Sequence, residues 1–327
     1  MSTYVVKRLL HTLFVVFGAL LLVFALIHFI PGDPALVILG IDATPEELVR
    51  LRTVLGLHEP LPVQFIRYIG RVAQGQFGDS IFQHEPVMKL ILERLPATVE
   101  LTIAAMLIAI VIGVVTGIIS ATRPYSLFDA AGTFMALAGV AMPVFWLGML
   151  AILLFSLKLN WLPSFGRSVG VFEATVELFQ TGDGSALADA IRHLILPAVT
   201  LGAFSAALIS RLVRSAMLEV LKHDYVRTAR AKGLTEFRVI SQHAFRNGLI
   251  PVVTVVGLQV GVLLGGAVIT ETIFAWPGLG RLLINSISQR DYPLVQGVVF
   301  VTVLMVSLIN LMVDLLYAWL NPRVGHG

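Results

Sequence analysis

Apolar residues in this chain gather into six long runs separated by short charged stretches. The runs lie near Leu9 to Ile30, Ala97 to Ser120, Ala130 to Leu157, His193 to Ser210, Leu249 to Ala275 and Leu294 to Leu320. Each approaches or exceeds the roughly 20 residues that a helix needs to cross the hydrocarbon of a bilayer. Backbone groups in lipid must be satisfied within the segment, so the pattern predicts six membrane-spanning helices with both termini on one side.

Between the first two runs lies a more polar segment, 31–96, with its own start and stop signals. Thr44-Pro45-Glu46-Glu47 has capping-box spacing with proline at the first helical position, and Gly56 is a stop. Val63 to Val72 places Phe65, Ile66, Ile69 and Val72 on one side. Val87 to Leu95 does the same with Val87, Leu90, Ile91 and Leu95, and ends at Pro96. Two readings fit: a helical cap over the outer mouth, or helices lying on the membrane surface. The expected divisions are thus 1–30 (N-terminus and first span), 31–96 (helical cap), 97–320 (five-helix core) and 321–327 (tail).

Composition agrees with the spans: 57% of residues are hydrophobic and only 13% charged, about half the charge of a soluble domain. The chain has no cysteine, which excludes disulfides and thiolate metal sites. Lys7, Arg8, Arg123, Arg323 and the bases between the fourth and fifth runs all fall on one side of the predicted topology, which the positive-inside rule makes cytoplasmic. A cleaved signal peptide is disfavoured, because the first run is long and PGDP follows it without a small-x-small site.

The segment 211–248 is the main polar interruption of the core. It carries eight basic residues (Arg211, Arg214, Lys222, Arg227, Arg230, Lys232, Arg238, Arg246) against Glu219, Asp224 and Glu236. Within it Ala229 and Ala231 keep the backbone approachable, and Gly233 suits the left-handed turn that ends a short helix. Arginines there can pair with the acidic rim of a partner's groove. A loop that only fixes topology or touches anionic lipid has the same composition.

In the spans, Gly257, Gly261 and Gly265 recur every four residues, as do Gly113 and Gly117. Such faces serve close helix packing or a sliding gap. Met142-Pro143 interrupts the third run, and a bend beside Phe145 and Trp146 would form a constriction. Met142, Phe145, Trp146, Gly261 and Gly265 are therefore the candidate path residues. Glu100 and Glu271 sit near outer ends, where solvation or snorkelling would accommodate them. Asp314, on one face with Asn310, is expected to pair with another helix rather than relay protons. Trp161, Pro163 and Trp276 read as interface anchors.

The histidines form no HxxxH or HExxH pair, so no metal site is expected. Phosphate loops, nucleophile elbows and active-site carboxylate runs are absent from the sequence. An enzyme is not expected, and energy for uphill transport would have to enter from another subunit. A secondary carrier driven through Asp314 and Glu271 is the alternative transporter; a membrane enzyme would need a constellation that the spans lack.

Long stretches of the chain resemble a known family. They include VVKRLLHTLFVVFGALLLVFALIHFIPGDPA, LGLHEPLPVQFIRYI, GQFGDSI, ERLPATVELT, ARAKG, HAFRNGLIPV, ETIFAWPGLGRLLINSISQRDYPLVQG and NLMVDLLYAWLNPRV. They are similar to the inner-membrane permeases of binding-protein-dependent ABC importers of the dipeptide, oligopeptide and nickel class. The long outer segment resembles the first of the two paired permeases.

That resemblance implies an all-α type I permease fold of six transmembrane helices in a bacterial inner membrane, both termini cytoplasmic. It also implies a heterodimer with a second permease, two ATP-binding subunits that carry ATP and Mg, an outer substrate-binding protein, contact with membrane lipid, and no nucleic acid. Peptide is the implied substrate, with nickel chelates, glutathione and haem left open. The implied coupling helix comprises Asp224, Tyr225, Arg227, Thr228, Ala229, Arg230, Ala231 and Gly233. The general importer pattern E-A-A-x-x-x-G-(nine)-I-x-L-P maps its second alanine onto Ala229 and its glycine onto Gly233. Arg227, Thr228, His243, Phe245 and Arg246 depart from it, as the peptide subclass does. The acidic stretch Gly170 to Asp189 receives no role from the resemblance.

Overall fold

The computed structural model describes residues 2–29, 44–55 and 58–320. Among these, the one strand-like pairing is an isolated bridge between Asp79 and Pro86; all other regular structure is helical, as expected. The helices are α1 (Ser2–Phe29), α2 (Pro45–Leu55), α3 (Leu61–Ala73), α4 (Val87–Thr122), α5 (Leu127–Ala141) and α6 (Val144–Ala151). A π-helical stretch, Ile152–Lys158, continues α6. Then follow α7 (Val171–Thr181), α8 (Ser185–Val220), α9 (Asp224–Ala231), α10 (Glu236–Arg238), α11 (Arg246–Ile273), α12 (Leu279–Gln289) and α13 (Tyr292–Leu320). The Gly56 stop, residues 30–43 of the expected first span and cap, and the 321–327 tail lie outside the described residues.

The chain folds as two compact units, Met1–Pro96 with Gly278–Gly327, and Ala97–Pro277. The last span, grouped with the core on sequence grounds, belongs with the first. In the first unit Arg8, near the start of α1, pairs with Asp314, near the end of α13, at 3.0 Å. The two helices are therefore antiparallel, and Asp314 has the helix partner expected for it. α3 packs on α1 through Phe65, whose ring lies 5.8 Å from Phe17 and 5.2 Å from Phe24, and through Tyr68, 5.8 Å from Phe24. The inward face of α3 is thus Phe65, Tyr68, Ile69 and Val72, whereas Ile66 is 70% exposed.

Val87 to Leu95 is not a separate helix. It is the first part of α4, which runs through Pro96 without ending. Val87, Leu90 and Ile91 are buried against Leu279, Leu282, Leu294 and Val298, and this packing holds the turn that the proline deprives of one backbone bond. The joint between α12 and α13 is fastened by Asp291, fully buried, which accepts bonds from Ser80 Oγ at 2.5 Å and from the Leu294 N–H at 3.3 Å.

In the second unit α4 and α8 run parallel at very short range. Gly202 lies against Ala105, Gly113 against Ala206 and Ile209, and Gly117 against Ser210 and Val213. The Gly113/Gly117 face therefore serves internal packing. Five helical segments are long and apolar enough to cross a membrane: Val6–Ala25, Val87–Thr122, Ser185–Val220, Val255–Ile273 and Tyr292–Leu315. The sixth expected span is broken. α5 and α6 with its continuation meet at 112°, far sharper than a kink. Met142 (φ −82°, ψ 128°) and Pro143 (φ −59°, ψ 137°) are both extended, because proline disfavours helical geometry in the residue before it.

The broken pair nevertheless crosses. Asp129 bonds Arg214, Gly139 lies against Ala203 and Ala207, Gly148 against Thr200, and Ile152 clusters with Leu196. From Arg214 to Leu196 is roughly 27 Å of helix axis, close to the thickness of the hydrocarbon. A net crossing is also what lets α4 and α8 run in the same direction. Six spans result.

Three expectations near span ends are corrected. Glu271 is fully buried and accepts from Thr98 Oγ1 at 2.6 Å. Glu100 pairs with Arg167 and accepts the Val171 N–H at 3.2 Å; neither carboxylate relies on snorkelling. Trp276 has no exposed surface, donates from Nε1 to the Ala97 carbonyl at 2.8 Å, and lies under the Arg167 guanidinium. It is a packing residue, while Trp161, 62% exposed, keeps the surface position expected of an anchor.

An exposed basic helix and an apolar groove as the candidate functional site

Only part of 211–248 is a loop. α8 continues to Val220, and Val239 already begins the π-helical turn that leads into α11. Arg214, counted among the bases of this segment, donates to both oxygens of the buried Asp129 carboxylate at 2.7 and 2.8 Å. What projects is α9 with its flanks.

Local chemistry explains α9. His223 is extended, Asp224 sits in the first turn where the positive end of the helix dipole favours a carboxylate, and Arg230 sits in the last. Gly233 adopts φ +78°, the left-handed conformation anticipated for it. The helix is amphipathic within its own chain. Val226 and Ala229 are buried and cluster with Ile209, Val213, Met217, Val239 and Ala244. Ala229 therefore turns inward, and of the two alanines only Ala231 is exposed.

The outer surface carries Asp224, Tyr225, Arg227, Thr228, Arg230, Ala231 and Gly233. Tyr225 stacks on His223 with ring centroids 5.6 Å apart. Arg227 and Asp224 pair at 3.4 Å in full solvent, a contact worth little in stability. Arg230 donates to Glu236 at 2.7 and 3.4 Å and ties α9 to α10. The inward face packs α9 on α8 and on the π-helical turn before α11, while the basic outward face stays in solvent.

A groove of about 300 Å³ opens between α4, α5 and α8, lined among others by Thr116, Phe134, Met135, Met142, Val199 and Ser210. A smaller recess of about 70 Å³ shares Gly132, Ala136, Ala207 and Ser210 with it, and adds Arg211 and Arg214. The groove is apolar apart from hydroxyls such as Thr116, which donates to Ser210 at 2.8 Å.

Of the candidate path residues, Met142 lines this groove. Phe145 and Trp146 are 49% and 42% exposed on α6, and Gly265 faces open space within this chain. Sequence reasoning missed Phe134 and Met135. The signal was there: two large apolar residues between Gly132 and Gly139, whose missing side chains let α5 approach α4 and α8.

Sequence relatives cover the chain end to end, and a solved structure covers 70% of it. The family described as binding-protein-dependent transport system inner membrane component matches residues 113–326, and its N-terminal component matches residues 1–102. A di/tripeptide transport system permease of Pseudomonas aeruginosa is 46% identical over 100% of this chain and 99% of its own length. The dipeptide transport system permease of Escherichia coli K12 is 44% identical over the same shares. A glutathione transport system permease of Salmonella typhi is 43% identical over 100% of both chains. Among solved structures, the MetNI methionine ABC transporter, in inward-facing conformations, aligns at TM-score 0.51 with 19% identity over 70% of this chain and 95% of that one, which shows the fold. The chain is a multi-pass inner-membrane protein and belongs to the family of binding-protein-dependent transport system inner membrane components.

Proposed function

We propose that the chain is one permease subunit of an ATP-driven importer of dipeptides or other short peptides. The observation that carries this reading is identity of 44–46% along the whole chain with permeases of dipeptide and di/tripeptide systems. A second homologous permease completes the path, two ATP-binding subunits bind at the cytoplasmic side and hydrolyse ATP with Mg, and an outer binding protein delivers the substrate. Both termini and α9 face the cytoplasm. Glutathione is the second reading, supported by 43% identity along the whole chain.

In this reading α9 is the coupling helix. Closure of the ATP-binding pair moves α9, whose buried Val226 and Ala229 transmit the motion to α8 and α11. α8 forms one wall of the apolar groove, so the same motion changes the exposure of Met142 and its neighbours. With few charges in the groove, the binding protein rather than the permease selects among substrates.

The test is Gly233→Val in the assembled importer. A β-branched side chain at φ +78° is strained, so the turn after α9 should distort while the spans insert normally. ATP hydrolysis should then proceed without peptide uptake. Wild-type uptake by this variant would refute the assignment of α9.

A further inference from the structure

α10 contains a large apolar side chain with no cover. Phe237 is 80% exposed, in a polar part of the chain outside the spans, and it follows directly the Glu236 that Arg230 holds at 2.7 Å. That ion pair bridges α10 and α9, and the packing of Leu234 and Val239 with Val226 and Ala229 joins them further. In residues 222–238 the exposed bases Lys222, Arg227, Arg230, Lys232 and Arg238 outnumber the exposed acids Asp224 and Glu236, so the segment is net positive. An exposed phenylalanine beside basic residues fits an apolar pocket with an acidic rim.

We infer that Phe237 is a second anchor for the ATP-binding subunit beside the coupling helix, seated in an acidic-rimmed apolar pocket of that subunit. The inference rests on the reading of α9 as the coupling helix and extends it. α9 alone offers a partner mainly charge and one aromatic, Tyr225, 42% exposed and stacked on His223. Charge contacts steer and orient; a buried aromatic holds. With Phe237 inserted and the Arg230–Glu236 pair intact, α9 and α10 move as one body, so the partner's motion is not lost in a loop.

The experiment compares Phe237→Ser, Phe237→Leu and Gly233→Val in the complete importer. Because Phe237 is exposed, Phe237→Ser should leave the melting temperature of the isolated chain unchanged. Retention of the ATP-binding subunits through purification should fall about tenfold or more, peptide-stimulated ATP hydrolysis should fall with it, and Phe237→Leu should recover most of both. If Phe237→Ser behaves as wild type while Gly233→Val uncouples, the second anchor is refuted and the coupling reading stands. If neither variant has an effect, both fail. Binding to anionic vesicles that Phe237→Ser abolishes, with coupling intact, would assign Phe237 to the lipid surface and refute the anchor.

Discussion

Gly113 and Gly117 on α4 and Gly265 on α11 sit in opposite environments, which allows a sharp contrast. A methyl added at Gly117 would lie 2.7 Å from the Ser210 carbonyl and from Val213, and one at Gly113 would lie 2.8 Å from the Ala206 carbonyl and from Ile209. Ordinary contact begins near 3.4 Å, so α4 and α8 must part by at least about 0.6 Å, and backbone carbonyls cannot rotate away as a side chain would. Overpacking of this kind costs about 1–3 kcal/mol. Alanine recovers about 0.5–1 kcal/mol of helix propensity, which leaves a net loss of up to about 2.5 kcal/mol for each variant. At Gly265 nothing lies within 4 Å, so Gly265→Ala should be neutral or stabilising by a similar fraction of a kcal/mol. Melting of the purified isolated chain, followed by size-exclusion recovery after heating, reads the difference. Gly113→Ala and Gly117→Ala should melt up to about 4 °C lower. Wild-type stability of both, or equal damage from Gly265→Ala, would refute the close crossing.

Two further outcomes follow from buried polar groups. Arg214→Gln leaves the Asp129 carboxylate, 7% exposed, without its bidentate partner. Because Arg214 itself keeps 31% exposure, the loss should sit at the low end for a broken buried pair, about 3 kcal/mol, and Asp129→Asn in the same chain should recover part of it, as a double-mutant cycle on stability would show. The Tyr68 hydroxyl is buried without a hydrogen-bond partner among the described residues, and burial pushes its pKa up to about 12. A raised pKa in the folded state means stability that is present below the unfolded value of about 10 and is lost as pH rises toward 12. Tyr68→Phe should therefore be neutral or stabilising at pH 7 by about 1 kcal/mol, and its advantage should grow in melts above pH 10; a constant difference across that range would contradict the burial of this hydroxyl.

What could be read in the sequence was what depends on neighbours along the chain. The six apolar runs, the break at Met142-Pro143 and the left-handed Gly233 all follow from local sterics and hydrophobic length, while the start of α9 at Asp224 comes from the family resemblance. What could not be read was which residues meet across long separations. Glu100 looked solvent-exposed because its partner Arg167 lies in a distant loop. Arg214 looked like a loop base because Asp129 lies on another helix. Pro96 looked like a helix end because the packing of Val87 and Ile91 that holds α4 together through it comes from α12 and α13. Of the residues singled out on α9 all but Ala229, which turns inward, are exposed; the groove was legible only at Met142, because its walls come from separate helices.

The central claim is that this chain works inside an ATP-driven assembly, and affinity purification tests it most directly. A tagged chain is extracted in mild detergent from the membranes of its own cell, and its companions are identified by mass spectrometry. The account predicts recovery of a second, homologous permease and of ATP-binding subunits, with ATP hydrolysis in the eluate. Recovery of the chain alone, still carrying peptide into liposomes under an ion gradient, would contradict it.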